Sequence, residues 1–155
     1  MSDERDDEWM SDALRQAALA LEHDDVPVGA VVVDLRTGNV VARAHNARER
    51  DNDPTAHAEL LALRHAAGDA GTWRLNGHAL VVTLEPCPMC AGAAWAARID
   101  RLVFGAADPK AGSAGTLYNF AADPRLNHEI PTVSGVRSEE CAALLTTFFR
   151  SRRTS

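Results

Sequence analysis

The sequence predicts an α/β domain, a central sheet covered by helices, on three observations. Helical and strand-like periodicities alternate along the chain. One strand-like run, HALVVTLE over residues 78–85, is apolar almost throughout, as a strand buried on both faces must be. The chain of 155 residues, 46% hydrophobic and 25% charged, also has the size and composition of one globular domain that buries its apolar surface without staples.

The first helix is predicted within DEWMSDALRQAALALEH, where Met10, Leu14, Ala17 and Leu21 recur at helical spacing and the acidic start suits the helix dipole. Residues 1–8 are read as a disordered acidic N-terminus and 9–153 as a single domain. VPVGAVVVDLRTGNVVARAHN holds two β-branched runs around Thr37, Gly38 and Asn39, which supply turn chemistry for a hairpin. DPTAHAELLALRHAAG has helical composition and closes on a glycine. After the strand HALVVTLE the pattern turns helical over residues 86–98, and IDRLVFGA returns to strand. Residues 108–132 form a Gly- and Pro-containing stretch, expected as a long loop with some local helix, and ordered loops of that length usually carry function. A short strand over 132–136 and a helix, SEECAALLTTFFRSRR, complete the alternation.

The formal net charge of −6 argues against a protein that coats nucleic acid indiscriminately, because such binding rests on phosphate neutralisation. Positive charge nevertheless gathers in FFRSRR. The N-terminus lacks the basic-then-apolar pattern of a secretory signal, and no apolar run approaches the roughly 20 residues of a membrane span. The expected compartment is therefore the cytosol, where thiols stay reduced. Among the three cysteines, Cys141 in ECAALL is expected to pack as a small apolar residue.

Cys87 and Cys90, in TLEPCPMCAGAAW, can be a redox couple, half of a structural zinc knot, an iron–sulfur fragment or part of a catalytic metal site. Both fall at a predicted helix start, where unpaired N–H groups and the dipole favour thiolate, and positions i and i+3 share a helix face. His57 begins the preceding helix. One imidazole and two thiolates suit Zn²⁺, and three protein ligands leave a fourth position open, as in catalytic sites. Glu59, two residues beyond His57, points elsewhere on a helix and is better suited to move protons than to ligate. A redox pair would leave His57 and Glu59 unused, and a closed knot would need a fourth ligand. His23, His45, His65 and His78 read as isolated surface or hydrogen-bonded residues. Trp9, Trp73 and Trp95 read as packing residues, with Trp95 also able to face a subunit partner.

HAE with PCPMC matches H-x-E…P-C-x-x-C, the signature given for zinc-dependent nucleobase deaminases. With VPVGAVVV, AHN, DPTAHAE, RLVFGA, DPKAGSAGTLYN, LNH and ECAALLTTFFRSRR following in order, the chain resembles the bacterial tRNA-specific adenosine deaminases from about Trp9 to Arg153. The resemblance implies a three-layer α/β/α cytidine deaminase-like fold with a mixed five-stranded sheet. It implies one Zn²⁺ per subunit on His57, Cys87 and Cys90, with Glu59 as proton shuttle while zinc-bound hydroxide attacks C6 of adenosine. Asn46 is implied to hydrogen-bond the nucleoside, and Val28 and Ala58 to line the base pocket. Asp108, Asn127, His128, Phe149 and Arg150 are implied to touch a tRNA anticodon loop, with Arg150, Arg152 and Arg153 meeting phosphates. The match departs at residues 47–50, where many relatives carry Arg or Pro after the asparagine. The implied activity is wobble adenosine to inosine, by a homodimer. The alternatives are a deaminase of a free base such as guanine or cytosine, and a non-catalytic zinc module that docks RNA.

Overall fold

The computed structural model describes residues 3–153. In chain order the elements are α1 (Glu4–Ala20), a 3-10 turn (Leu21–His23), β1 (Gly29–Asp34), β2 (Asn39–His45), α2 (Arg48–Asp51) and α3 (Ala58–Ala70). They continue with β3 (His78–Leu84), α4 (Pro88–Ala96), β4 (Arg101–Ala106), β5 (Thr132–Val133) and α5 (Ser138–Arg153). The sheet order is β2-β1-β3-β4-β5. β1 pairs antiparallel with β2 and β3, whereas β3, β4 and β5 run parallel, so the sheet is mixed. The α4 crossover between β3 and β4 is what allows that parallel pairing.

Alternation along β1 divides the core. Ala30 and Val32 join Leu80, Val82, Leu102 and Phe104 on the face covered by α3 and α4. Val31 and Val33 join Ala79, Val81 and Val103 on the face that receives Trp9, Met10 and Ala13 of α1 and Cys141 of α5. Two buried faces demand apolar residues at both phases, which is why GAVVV and ALVV contain no polar interruption. The result is the expected three-layer α/β/α arrangement. Among the described residues no helix is long and apolar enough to cross a membrane.

Residues 4–8, expected to be disordered, form the start of α1. Asp3 caps it: the Asp6 N–H donates to the Asp3 carboxylate at 3.0 Å, and the Asp3 N–H donates back to Asp6 at 3.1 Å. Asp6 is fully buried and pairs with Arg101 at the start of β4, so this acidic segment is tied to the sheet. Residues 1–2 lie outside the described part. α3 runs through Gly68 and ends at Gly71, whose φ of 70° supplies the left-handed cap. The four-residue α2 was not expected, β5 is shorter than expected, and residues 108–131 contain turns and one isolated bridge but no helix.

α1 lies flush on the sheet through Ala13, Ala17 and Ala20, all fully buried. At Gly29 a Cβ would sit 2.0 Å from the Ala13 carbonyl oxygen and 2.4 Å from the Ala17 nitrogen. Backbone cannot yield as a side chain can, so Gly29→Ala is expected to cost about 3 kcal/mol. Urea unfolding of the variant checks this, and an unchanged midpoint would contradict the close approach.

Candidate active site

Two helix N-termini converge at one end of the sheet. His57 is the N-cap residue of α3 and Cys87 that of α4, both with extended backbone, and Pro88 occupies the first turn of α4, where its missing N–H costs nothing. β3 delivers Cys87 through the short connection Glu85 and Pro86. His57 Nδ1 lies 3.6 Å from Cys87 Sγ and 3.5 Å from Cys90 Sγ. A tetrahedral zinc with ordinary Zn–S and Zn–N lengths has N···S edges of about 3.6 Å. The donor atoms of the trio all lie within 4.8 Å of one another, so the residues fit one zinc ion without rearrangement.

The electrostatics of the metal-free trio favour one thiolate. A hydrogen bond from Cys90, assisted by His57, pulls the Cys87 thiol down to about 4. Cys90, as the donor and the more buried thiol, moves up, and the bond to Cys87 likewise raises His57. Glu59, 4% exposed in the first turn of α3, interacts with Cys90 and with the His57 and Cys87 charges, and stands outside the trio that could share an ion. Burial raises its carboxyl to about 7, with the His57 charge pulling the other way. A carboxyl poised near neutrality both accepts and donates a proton at working pH.

Asn46, Val28 and Ala58 gather beside the trio. The Asn46 side-chain oxygen accepts from the Ala58 N–H at 2.8 Å, and its backbone N–H donates to the Val28 carbonyl at 3.1 Å. Val28 and Ala58 are buried in one apolar cluster. Asp108 and Phe149 line a neighbouring groove of about 450 Å³ with Val26, Leu84 and Lys110, and Phe149 is 46% exposed there. Arg150 is exposed on α5 beside it.

Asn127 and His128 are placed differently. They cluster at the C-terminal end of α4, opposite the cysteines, where the His128 ring stacks on Trp95 with centroids 5.1 Å apart and receives Arg98 at 2.6 Å. In the tail, Arg152 turns back to the Asp24 carbonyl at 2.8 Å and covers the Phe148 ring, so this pair is engaged within the chain. The Arg153 side chain lies outside the described part.

Besides Asp6, two buried acids escaped the sequence reading. Asp25 accepts from the Glu49 and Arg50 N–H groups at 2.8 and 3.2 Å and pairs with His23, fixing α2 just after Asn46. His23 is not isolated either, since its ring lies 5.2 Å from that of His45, which bonds Gln16. Glu85, 1% exposed, accepts from Asp108, Ala114 and Thr116 across the long loop. The available signal was an acid closing an apolar strand and another preceding one, positions where an unsatisfied charge is expensive.

The family model for the cytidine and deoxycytidylate deaminase zinc-binding region matches residues 3–106. A tRNA-specific adenosine deaminase of Bacillus subtilis (strain 168) is 49% identical over 149 residues, 96% of this chain and 91% of that relative. The chain belongs to the tRNA-specific adenosine deaminase family. A solved tRNA:A34 deaminase, concerned with A-to-I editing at the wobble position of transfer RNA, is similar at 44% identity and a TM-score of 0.84, covering 89% of this chain and 99% of that one. A guanine deaminase from Nitrosomonas europaea, 24% identical with a TM-score of 0.76 over 92% of this chain and 83% of that one, shares the fold alone. As a member of the tRNA-specific adenosine deaminase family with a His/Cys/Cys trio at tetrahedral spacing, the chain is a zinc enzyme.

Metal analysis of the purified protein is expected to find one zinc per chain, and Cys87→Ser or Cys90→Ser to bring it below stoichiometry. An oxidisable Cys87–Cys90 disulfide in protein lacking zinc from the outset would point back to a redox pair. For Asp25, burial opposes the charge but the Glu49 and Arg50 N–H groups and His23 outweigh it, lowering the carboxyl below 3.8. Its stabilising contribution is present above that value and is lost as pH falls through the folded carboxyl's pKa. The stability gap between wild type and Asp25→Asn, followed by urea unfolding, should accordingly be widest above pH 4 and close in stronger acid; a gap constant with pH would exclude the ionised role.

Proposed function

We propose that the chain hydrolyses the wobble adenosine of a tRNA anticodon to inosine, releasing ammonia. One observation carries the chemistry: a buried, near-neutral Glu59 beside the three-ligand His57, Cys87 and Cys90 trio. The choice of substrate is supported by the near-full-length similarity to tRNA-specific adenosine deaminases.

His57, Cys87 and Cys90 would hold the zinc, which would supply a hydrolytic water with its pKa lowered from about 15.7 towards about 7. Glu59 accepts the proton that this water gives up and delivers it to adenine N1, which makes C6 electrophilic. Glu59 then conveys a proton to the departing amine, so adenosine and water become inosine and ammonia while the carboxyl ends as it began. Asn46 has its side-chain oxygen committed to Ala58, so it meets the nucleoside through its amide N–H₂. Val28 and Ala58 wall the base.

The target base must leave its stack, at a cost of a few kcal/mol that is smallest in a single-stranded loop. The adjoining groove, with Asp108 and Phe149, gives the flanking nucleotides a surface on which to lie. A pocket for a free base has no use for that open extension. Arg150 adds charge for phosphate, and Asn127 and His128 are assigned to more distant parts of the loop. The working enzyme is assigned as a cytoplasmic homodimer built from one deaminase domain per chain.

Glu59→Ala is expected to lower conversion of an anticodon stem-loop by at least about a hundredfold while zinc content is unchanged. Inosine formed by this variant at the wild-type rate would exclude the proton-shuttle mechanism. Wild-type activity on guanine or cytosine in place of the stem-loop would move the substrate to a free base.

A further inference from the structure

We infer that Glu85 is a positioning residue for RNA binding, the internal anion around which residues 108–118 are wound so that they present a fixed surface beside the base pocket. The inference rests on the RNA substrate proposed above.

The geometry is specific to a carboxylate. One Glu85 oxygen accepts from the Asp108 N–H at 3.1 Å and from the Thr116 hydroxyl; the other accepts from the Ala114 and Thr116 N–H groups, each at 3.0 Å. All four partners are donors and all lie on the loop. The loop is also tied to the strand end by the Ser113 N–H, which donates to the Pro86 carbonyl at 2.9 Å, one residue before Cys87. At Gly112 a Cβ would stand 2.5 Å from the Glu85 carboxylate, so the backbone passes as close as a glycine permits. A segment otherwise held by its turns, one bridge, the Ser113–Pro86 bond and the Asp108 cap is thus gathered around one buried side chain.

This shape has a consequence at the surface. Asp108, anchored through its own N–H, turns its carboxylate to cap the Lys110 and Ala111 N–H groups and lines the groove opposite Phe149. Further along, Leu117 and Tyr118 are exposed, Tyr118 at 58%, and the Tyr118 ring stacks on Phe120 with centroids 5.9 Å apart. An exposed, braced aromatic ring on a loop adjoining the site suits a splayed base. Glu85 itself is buried and touches no substrate, so its influence on RNA passes through the loop.

Glu85→Gln tests the assignment with the zinc-loaded, full-length enzyme. With the amide nitrogen at the Oε2 position it faces two N–H donors, and at the Oε1 position it faces the Asp108 N–H while the Thr116 hydroxyl turns to accept, so in either orientation at least one N–H loses its acceptor and the clamp loosens. On an anticodon stem-loop KM is expected to rise about tenfold, the scale of one lost buried hydrogen bond, with kcat within about threefold and one zinc per chain retained. Amide hydrogen exchange over residues 108–117 should accelerate. Thr116→Val, which removes one of the four donors, should move both readouts the same way by less, and it covers the case in which Glu85→Gln does not fold. An unchanged KM despite faster exchange, a fall in kcat with loss of zinc, or a variant that dissociates to monomers would each overturn the proposal, the last by assigning the segment to a subunit contact. If wild type fails to convert the stem-loop, the RNA substrate is wrong, while the exchange measurement still reports on the clamp.

Discussion

Everything in the site depends on two helices starting at the same place. A zinc ion of this ligand set requires an imidazole nitrogen and two sulfurs at spacings of about 3.6 Å, and no single helix or strand of this fold supplies all three. The solution is to put His57 and Cys87 at N-cap positions, where the backbone is still extended and the side chain can turn back over the helix end. Cys90 follows one turn later on the same face of α4. Parallel pairing of β3 with β4 forces a crossover helix, and the crossover places that helix start at the carboxyl end of β3. The metal site is thus a consequence of sheet topology, and α1, packed on the opposite face, serves it only by holding the sheet rigid.

Four buried carboxylates then divide the remaining labour, and their environments decide which does what. Asp6 meets Arg101 and anchors the N-terminal helix. Asp25 is supplied with backbone donors and His23, and braces the turn after Asn46. Glu85 is saturated by four donors; burial opposes its charge, but the Thr116 hydroxyl and the Asp108, Thr116 and Ala114 N–H groups lower its pKa. Glu59 differs because burial outweighs its partners, and its carboxyl sits near 7. A carboxylate surrounded by N–H groups is structural because protonation would orphan them. One surrounded by apolar walls and a metal trio changes protonation without breaking the fold.

The sequence made the chemistry more legible than the scaffold that aims it. His57, Glu59, Cys87 and Cys90 were readable because zinc chemistry restricts residue type and spacing, and the sheet was readable because a doubly buried strand tolerates no polar residue. Asp25 and Glu85 were not, since their backbone partners are N–H groups of residues 23 to 31 positions away, and backbone carries no residue-specific signal. The N-terminal helix was cut short for a related reason: ERDD looks solvated until Arg101, 95 residues downstream, is known to face Asp6. Asn127 and His128 were named by family likeness as anticodon-loop contacts, and contacts with Trp95 and Arg98 hold them at the C-terminal end of α4.

The charge distribution sets how such a molecule can hold a polyanion. With a net charge of −6 the chain as a whole repels RNA, and the arginine-rich tail carries charge of the opposite sign. Arg152, however, is already bound to the Asp24 carbonyl and carboxylate and covers Phe148. Breaking an exposed ion pair costs little, but the guanidinium also braces the end of α5 against the turn after α1. Arg152 is thus occupied within the chain, and in the proposed complex shape works beside the remaining charge: a groove between the Asp108 turn and α5 is apolar along Val26 and Leu84, with the Phe149 ring exposed along it. Recognition of that kind favours unpaired, unstacked nucleotides over a duplex, because only they present base faces to a ring. The same property that makes a loop adenosine cheap to extract for the metal site makes its neighbours available to the groove.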